Sequence, residues 1–551
     1  MNLDGLLTFF TILIAVYAVF PTTTRLRIAF RPFWLDWVSL IALIFVLYLE
    51  FFQVLSPICA NYSLTLCGVS TFSDFSKFSP QQAAFLIVAL WLILALVVLA
   101  RRKINATSLP TLYRLASELA SQQRYSELID LVDPHVHLIS QAASRKTRCA
   151  SLHDSLKDAH PDRIKLQDIL GNDAAHPPFK YRLPRWILCT LPLFAKLVPS
   201  EKNIEQAGNR VLRLLFKSPA IIEYVAMYRP SFGVKLLRMN NYGLSEFSDS
   251  FLKHLISTPH STLYSEIRQN ENISGCGYAY PEYNELLHFL FGDARNAQRL
   301  NVWRVIGEYT LENLRINQDK QYTDFLNGDG EFFEDAEKWR DPTFVALRFF
   351  DLMVTAAACQ GVQWHMWLYY YPPFLKKLLA VCETEHKDID YHTECTTRVS
   401  CLIYTIFDNL SDWVVLFANL PKNSPHRNIQ SIDVKHENNN VPKSAALALG
   451  QSLTILLKSK KINRQFCQLV HEMILGRIER LDHEGDEALL RQATINALLK
   501  PDVFGEVDHE YGQVLINLWY AVDYMLREKL PDYELALLTQ YGPTASADDD
   551  A

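Results

Sequence analysis

The sequence predicts an all-α protein in which three N-terminal transmembrane helices precede a large helical body. Long apolar stretches almost free of charge occur mainly within the first hundred residues. In the remainder, apolar residues recur at spacings of three and four, which is typical of helices that bury one face. Glycine is scarce, with 19 in 551 residues, whereas α/β enzymes use glycine in phosphate loops and close strand crossings.

The predicted spans cover about residues 5–24, 34–55 and 83–100. The third, AAFLIVALWLILALVVLA, has no charged residue and has the length of a membrane helix, since ~20 residues at helical rise cross the hydrocarbon core. No Lys or Arg precedes the first apolar stretch, so we interpret it as a span and not as a cleaved signal peptide.

The distribution of basic residues predicts the topology. Three arginines lie at residues 25–31 and three basic residues at 101–103, whereas the loop 56–82 contains only Lys77. Since basic residues favour the cytoplasmic side, we expect an integral membrane protein whose basic segments face the cytoplasm. We predict that the membrane is a bacterial inner membrane. The N-terminus of the protein would lie outside, its body in the cytoplasm and loop 56–82 on the non-cytoplasmic side, where a Cys59–Cys67 disulfide could persist.

Asp36 and Glu50 are the two acidic residues of the second predicted span. Fourteen residues separate them, which returns a helix to nearly the same face after about 21 Å. They could line an ion path, because carboxylates in a bilayer usually face a bundle interior. Alternatively, each lies near one membrane interface, beside the aromatic anchors Trp34, Trp37 and Tyr48.

The body is predicted to consist of a helical lobe at 104–420, a flexible loop at 421–444, a C-terminal helical lobe at 445–540 and a disordered acidic tail at 541–551. The spacing over 112–139 predicts a helix hairpin. Because no fixed period follows, we expect an irregular α-solenoid or packed bundle. The balance of 54 Lys and Arg against 60 Asp and Glu gives no basic surplus for nucleic acid, so we predict no such partner.

Two groups of residues have the side chains of metal ligands. His135 and His137 form a His-x-His pair, but on a helix they point about 200° apart, so we predict an ordinary helix there. Cys382, His386, His392 and Cys395 could form a tetrahedral structural zinc site. The alternative is a helix-loop-helix connection whose cysteines lie at buried helix ends.

The segment QWHMWLYYYPPFLKK, residues 363–377, is the densest aromatic stretch. Its side chains Trp364, Trp367, Tyr370 and Tyr371 could form a protein-binding hot spot. An aromatic stripe at helical spacing is also typical of a helix core.

The sequence contains no G-x-x-x-x-G-K-[ST], G-x-G-x-x-G, G-x-S-x-G or H-E-x-x-H motif, so it has no signature of the common catalytic classes. We therefore predict a non-enzymatic, membrane-anchored scaffold or sensor that binds a protein partner, without a cofactor other than the candidate zinc. One alternative is a homo-oligomeric channel or membrane-perturbing effector, by analogy with bacterial antiviral defence. Another is a zinc-dependent enzyme.

Overall fold

The computed structural model describes thirteen parts of the chain. These are residues 11, 33–50, 80–101, 105–144, 201–239, 243–272, 275–316, 320–328, 336–363, 366–382, 396–432, 439–500 and 508–542. Within them the regular secondary structure consists of helices, without a β-strand. The predicted all-α class is thus confirmed.

The helices are numbered here in chain order over the described parts. In the first part of the chain they are α1 (Phe33–Glu50), α2 (Pro80–Arg101), α3 (Leu109–Ser121), α4 (Tyr125–Val132), α5 (Val136–Ala143), α6 (Glu201–Lys217) and α7 (Pro219–Tyr228). They continue with α8 (Pro230–Leu237), α9 (Leu244–Ser257), α10 (Thr262–Gln269), α11 (Glu285–Phe291), α12 (Ala294–Leu300), α13 (Val302–Ile316), α14 (Lys320–Leu326), α15 (Pro342–Cys359) and α16 (Tyr371–Val381). The last are α17 (Arg398–Val415), α18 (Val441–Lys458), α19 (Arg464–Glu479), α20 (Gly485–Leu499), α21 (His509–Ala521), α22 (Tyr524–Glu528) and α23 (Pro531–Tyr541).

The chain divides into two compact units, Met1–Ile221 and Ile222–Ala551. The loop predicted at 421–444 therefore lies inside the second unit. Part of it is packed: His426 is fully buried, and its imidazole Nδ1 accepts a hydrogen bond at 3.2 Å from the Val441 amide at the start of α18.

Helices α1 and α2 pack against each other in the first unit. The indole Nε1 of Trp91 donates a hydrogen bond of 2.9 Å to the hydroxyl of Ser39, which in turn donates to the Leu35 carbonyl at 2.7 Å. Both helices are apolar on nearly every side, as expected for segments without an amphipathic pattern.

The prediction of three N-terminal spans needs correction. Span 5–24 lies outside the described residues except for residue 11, and the most apolar stretches of α1 and α2, Leu35–Leu49 and Ala83–Ala95, are short. Within the described parts of the chain, the helices long and apolar enough to cross a membrane are Pro342–Cys359 and Arg398–Asn419, by length and composition alone. Because 72% and 61% of the residues in their most apolar 18-residue stretches are buried, both have the character of core helices.

Helices α3 to α6 form a bundle within the same unit. Helices α3 and α4 pack together, which confirms the hairpin predicted over 112–139. Helix α6 packs on α3 and α5, and Gly208 permits a close approach there, because a Cβ at this position would lie 3.0 Å from the Ala143 backbone nitrogen. The segment with His135 and His137 forms a short 3₁₀ turn followed by α5, as its helical spacing predicts.

The core of the second unit is built around α15 and α17. Helix α15 begins after Asp341, whose carboxylate caps it by accepting a hydrogen bond of 3.1 Å from the Thr343 amide, and Pro342 occupies a first-turn position that needs no amide proton. Its sequence PTFVALRFFDLMVTAAAC is apolar on most sides, and the side chains of Phe349 and Phe350 are fully buried.

The C-terminal helices complete this unit. Helix α18 packs against α17 and α20, and α23 packs against α20 and α21. Gly450 is required at the crossing of α18 and α20, because a Cβ would lie 2.0 Å from the Ala497 carbonyl oxygen. The irregular α-solenoid or packed bundle stays a prediction.

Candidate functional site

A groove of about 450 Å³ runs between α9 and α13 in the second unit. Its charged rim results from helical spacing: Arg304, Glu308 and Glu312 lie four residues apart on one side of α13, and Asp249 and Lys253 lie four apart on α9. Residues at this spacing share one face of a helix. Two packed helices thus place five charged side chains along one groove.

The charges pair across the groove. The Arg304 guanidinium contacts the Asp249 carboxylate at 2.5 Å, and the Lys253 ammonium lies 3.5 Å from the Glu312 carboxylate. The side chains of Arg304, Lys253 and Glu312 are all more than half exposed, at 51%, 59% and 53%. Exposed pairs of this kind contribute little to stability, about 0–1 kcal/mol each, so their charges remain accessible to a partner.

Tyr370 contacts the middle of the charged row on α13. Its ring lies directly over Gly307 of α13, where a Cβ would come within 2.5 Å of the ring. This contact positions the Tyr370 hydroxyl to donate a hydrogen bond of 3.0 Å to the Glu308 carboxylate. Burial, together with this carboxylate, raises the pKa of Tyr370 well above its usual range, so the phenol stays protonated and keeps Glu308 oriented.

The Asp249 carboxylate has one oxygen that makes no hydrogen bond. Within the described part of the chain, Asp249 Oδ1 is inaccessible and has no hydrogen-bond partner, whereas Oδ2 of the same side chain contacts Arg304. Burial raises the pKa of Asp249, and the nearby Arg304 charge opposes this increase. This unsatisfied buried acceptor costs free energy, so a rearrangement of the pair between Arg304 and Asp249 that gave the oxygen a donor would be favourable.

The arrangement is suited to recognition of a polar, charged segment. Acidic and basic groups both line the groove, and Tyr309 in its lining provides an aromatic face with a polar end. A peptide or helix with complementary charges could exchange these intramolecular pairs for intermolecular ones. Such complementarity favours specificity and fast association more than raw affinity.

A second polar arrangement lies where α10 meets α11. The Glu266 side chain is almost completely buried, and its carboxylate accepts hydrogen bonds from the amides of Leu286 and Leu287 at 3.3 and 2.8 Å. Burial raises the pKa of Glu266 to about 7, while these two hydrogen bonds lower it. A buried carboxylate therefore titrates near neutral pH in the structural core of the second unit.

The aromatic residues predicted as a hot spot lie in different environments. Trp367 and Tyr371 are 2% and 0% exposed, and the Tyr371 hydroxyl accepts a hydrogen bond of 2.9 Å from the Asn409 amide. Trp364 lies outside the described residues. Tyr370 is half-buried and its hydroxyl contacts Glu308 of the groove, so among the described residues of this set it is the one that stays partly exposed.

The remaining predicted site residues are mostly outside the described parts. Of the candidate zinc ligands only Cys382 is described, and its side chain is buried; His386, His392 and Cys395 are not, and neither are Cys59 and Cys67. The zinc site and this disulfide thus stay predictions. Asp36 and Glu50 lie towards the two ends of α1, and both the ion-path and the interface interpretations stay predictions.

Two features of the structure were not predicted from the sequence. The first is the groove, whose only sequence signal is the four-residue spacing of the charges on α13. The second is a disulfide between Cys276 and Cys359, which are 83 residues apart in the sequence. None of the protein families, curated proteins or solved structures compared with this chain matches it.

Proposed function

We propose that this protein is a membrane-anchored helical scaffold or sensor that binds a protein partner through the groove between α9 and α13. In this proposal α1 and α2 insert into the membrane as a pair, and the basic residues that precede α1 and follow α2 lie on the cytoplasmic side together with the body. The observation that carries the anchoring is the apolar surface of helices α1 and α2.

These two helices expose apolar side chains over much of their length. Side chains of both helices are strongly exposed, and they include Trp37 54%, Ile41 51%, Ile44 58%, Phe45 53%, Phe85 53%, Leu86 52%, Leu90 70% and Ile93 59%. Contiguous exposed apolar patches of this kind mark membrane or protein interaction sites. Helices of 18 and 22 residues extend about 27 and 33 Å at helical rise, close to the ~30 Å of a hydrocarbon core.

The hydrogen bond between Trp91 and Ser39 also supports insertion as a pair. Polar side chains within a bilayer need partners, and hydrogen bonds between helices supply about 1 kcal/mol each. Here the Ser39 hydroxyl both accepts from Trp91 on α2 and donates to the backbone of its own helix. Helices α1 and α2 therefore share a hydrogen-bonded polar contact between them and expose apolar side chains on their outer surface.

Anchoring is tested by alkaline extraction of membranes that contain the intact chain. We expect the wild-type protein to stay in the membrane fraction, because burial of apolar surface in lipid does not depend on charge or salt. We expect Ile44→Arg combined with Leu90→Arg to weaken retention, because each charge costs about 2.5–3.5 kcal/mol at a helix centre. Release of the wild-type chain together with peripheral proteins would contradict the anchor.

Partner binding is tested by affinity purification of the intact protein in mild detergent. The groove variant combines Lys253→Glu with Glu308→Lys, which reverses two exposed groove charges at unchanged net charge. The matched control combines Lys460→Glu with Glu510→Lys, two exposed positions outside the groove.

We expect a protein that copurifies with the wild type and the control variant to be lost from the groove variant. A partner retained equally by all three proteins would exclude the groove as its binding site. An oligomer of this chain alone, which requires residues 1–103 and makes vesicles leak ions, would instead support the channel function.

A further inference from the structure

The disulfide between Cys276 and Cys359 fastens one connecting segment to the central helix of the second unit. Cys276 lies in residues 275–284, which we call the strap, and Cys359 is the last residue of α15. The two cysteines are 83 residues apart in sequence. The bond therefore ties the segment that leads into α11 to a helix formed much later in the chain.

The two cysteines of this disulfide are partly exposed to solvent. Cys276 and Cys359 are both only half-buried. Cys276 lies between Gly275 and Gly277, whose φ angles are +76° and +100°, and no atom lies within 4 Å of a Cβ built at either glycine. Both glycines adopt backbone conformations that other residues rarely populate, so the bond is presented on an open turn.

The other described cysteines differ in this respect. Cys382, Cys401 and Cys467 are buried, and burial raises the pKa of the Cys467 thiol to about 12. A thiol in such surroundings is largely unreactive, because the thiolate is the reactive species. The structure therefore separates one accessible disulfide from several protected thiols.

The strap covers apolar surface of the core. Tyr280 is 7% exposed, its ring packs against Phe291 at 5.7 Å between centroids, and its hydroxyl donates a hydrogen bond of 3.5 Å to the Leu352 carbonyl of α15. The Tyr280 carbonyl also lies 2.8 Å from the imidazole Nδ1 of His288. Release of the strap would expose this aromatic surface and loosen the start of α11.

We propose that Cys276–Cys359 is a redox modification site, an exchangeable disulfide that dithiol reductants open in the folded protein to release the strap. Exposed disulfides are the labile and regulatory ones, whereas buried ones are structural. The inference does not depend on the proposed partner binding, since it rests on the accessibility of the bond and the contacts of the strap.

The reaction is a thiol-disulfide exchange. A thiolate of the dithiol attacks one of the two cysteine sulfurs, the bond between Cys276 and Cys359 breaks, and a mixed disulfide forms while the other cysteine leaves as a thiolate and takes up a proton. The second thiol of the reductant then resolves the mixed disulfide. The protein gains two electrons and two protons, and the dithiol becomes a cyclic disulfide.

The first test is differential alkylation of the intact protein in mild detergent. The protein is purified without reductant, treated with dithiothreitol under native conditions, alkylated and mapped by mass spectrometry. We expect a linked Cys276–Cys359 peptide before reduction, and alkylation of both residues after it while Cys467 stays unmodified. If the linked peptide is absent, or if the bond is reduced only after denaturation, the proposal is wrong.

The second test is hydrogen exchange with and without dithiothreitol. We expect amides of residues 278–288 to exchange at least about tenfold faster after reduction, with α20 unchanged within about twofold, because local opening is independent of the global core. The double variant Cys276→Ser with Cys359→Ser should exchange fast in the strap without reductant and show no response to it.

Two results would overturn the proposal. Acceleration across α20 on reduction of the wild type would show that the bond is a staple for the whole unit. Unchanged exchange in the strap would show that Tyr280 and its neighbours hold the segment closed without the disulfide. Because both are read on the wild-type protein, the test does not depend on whether the double variant folds.

Discussion

The ion pair between Arg491 and Asp532 provides a sharp test of what holds the C-terminal helices together. The Arg491 side chain on α20 is 1% exposed, and it binds both carboxylate oxygens of Asp532 at 2.6 and 2.9 Å. It also donates hydrogen bonds to the carbonyls of Ile478, Leu481 and Lys529 at 2.8, 3.2 and 3.4 Å. One guanidinium thus links α20 to the end of α19 and the start of α23.

We expect Arg491→Met to destabilise this region by about 3 kcal/mol. Removal of one partner of a buried pair typically costs about 3–5 kcal/mol. The lower end applies because the Asp532 side chain is 32% exposed and can be partly hydrated. The matched control is Lys529→Met, which breaks the pair with Glu479; the Lys529 side chain is 58% exposed, so we expect a loss of no more than about 1 kcal/mol.

Hydrogen exchange of the amides in α20 and α23 measures this loss in the intact protein. A loss of 3 kcal/mol corresponds to about 150-fold faster exchange when opening is at equilibrium, because each 1.4 kcal/mol is tenfold. A double-mutant cycle with Asp532→Asn isolates the pairwise part. If Arg491→Met accelerates exchange no more than Lys529→Met does, the guanidinium is not the link between these helices.

Two further predictions concern a helix crossing and a buried carboxylate. Gly450→Ala should lower the urea midpoint by the equivalent of about 1–3 kcal/mol, because the added Cβ would overlap the α20 backbone. The control Gly476→Ala has no atom within 4 Å of its Cβ and should be neutral or gain up to about 1 kcal/mol of helix propensity. Equal effects of the two substitutions would contradict the close approach of α18 and α20. Burial raises the pKa of Glu266 to about 7, against an ordinary value of 4.5. Its contribution to the free energy of unfolding is therefore full below pH 4.5 and is lost as the pH rises through 7, by about 3 kcal/mol. Glu266→Gln should remove this pH dependence in urea titrations between pH 4.5 and 8.

The sequence and the structure agree best for the helices of the body. The period of α3 and α4 predicts a hairpin, and the structure has one, because helix formation depends on residues three and four apart. The membrane spans are less well determined by composition. Helix α15 passes the same test of length and hydropathy as a membrane helix, yet other helices of the second unit bury it.

The candidate site depends on pairs that are distant in the chain. Asp249 and Arg304 are 55 residues apart, and Glu308 and Tyr370 are 62 apart. Nothing in the local pattern of α9 or α13 identifies the other helix as its neighbour. For the aromatic stretch, the local pattern is compatible with a hot spot and with a helix core. Only packing places Trp367 and Tyr371 in the interior and the Tyr370 hydroxyl against Glu308.

The sequence by itself determined that this chain is helical and that its first hundred residues are the most apolar, because both properties follow from neighbouring residues and local composition. Only the tertiary structure decided which helices pair, which charges meet across the groove, and that Cys276 reaches Cys359. The groove pairs and the disulfide join residues more than fifty positions apart, and their formation depends on how whole helices exclude water from a shared core.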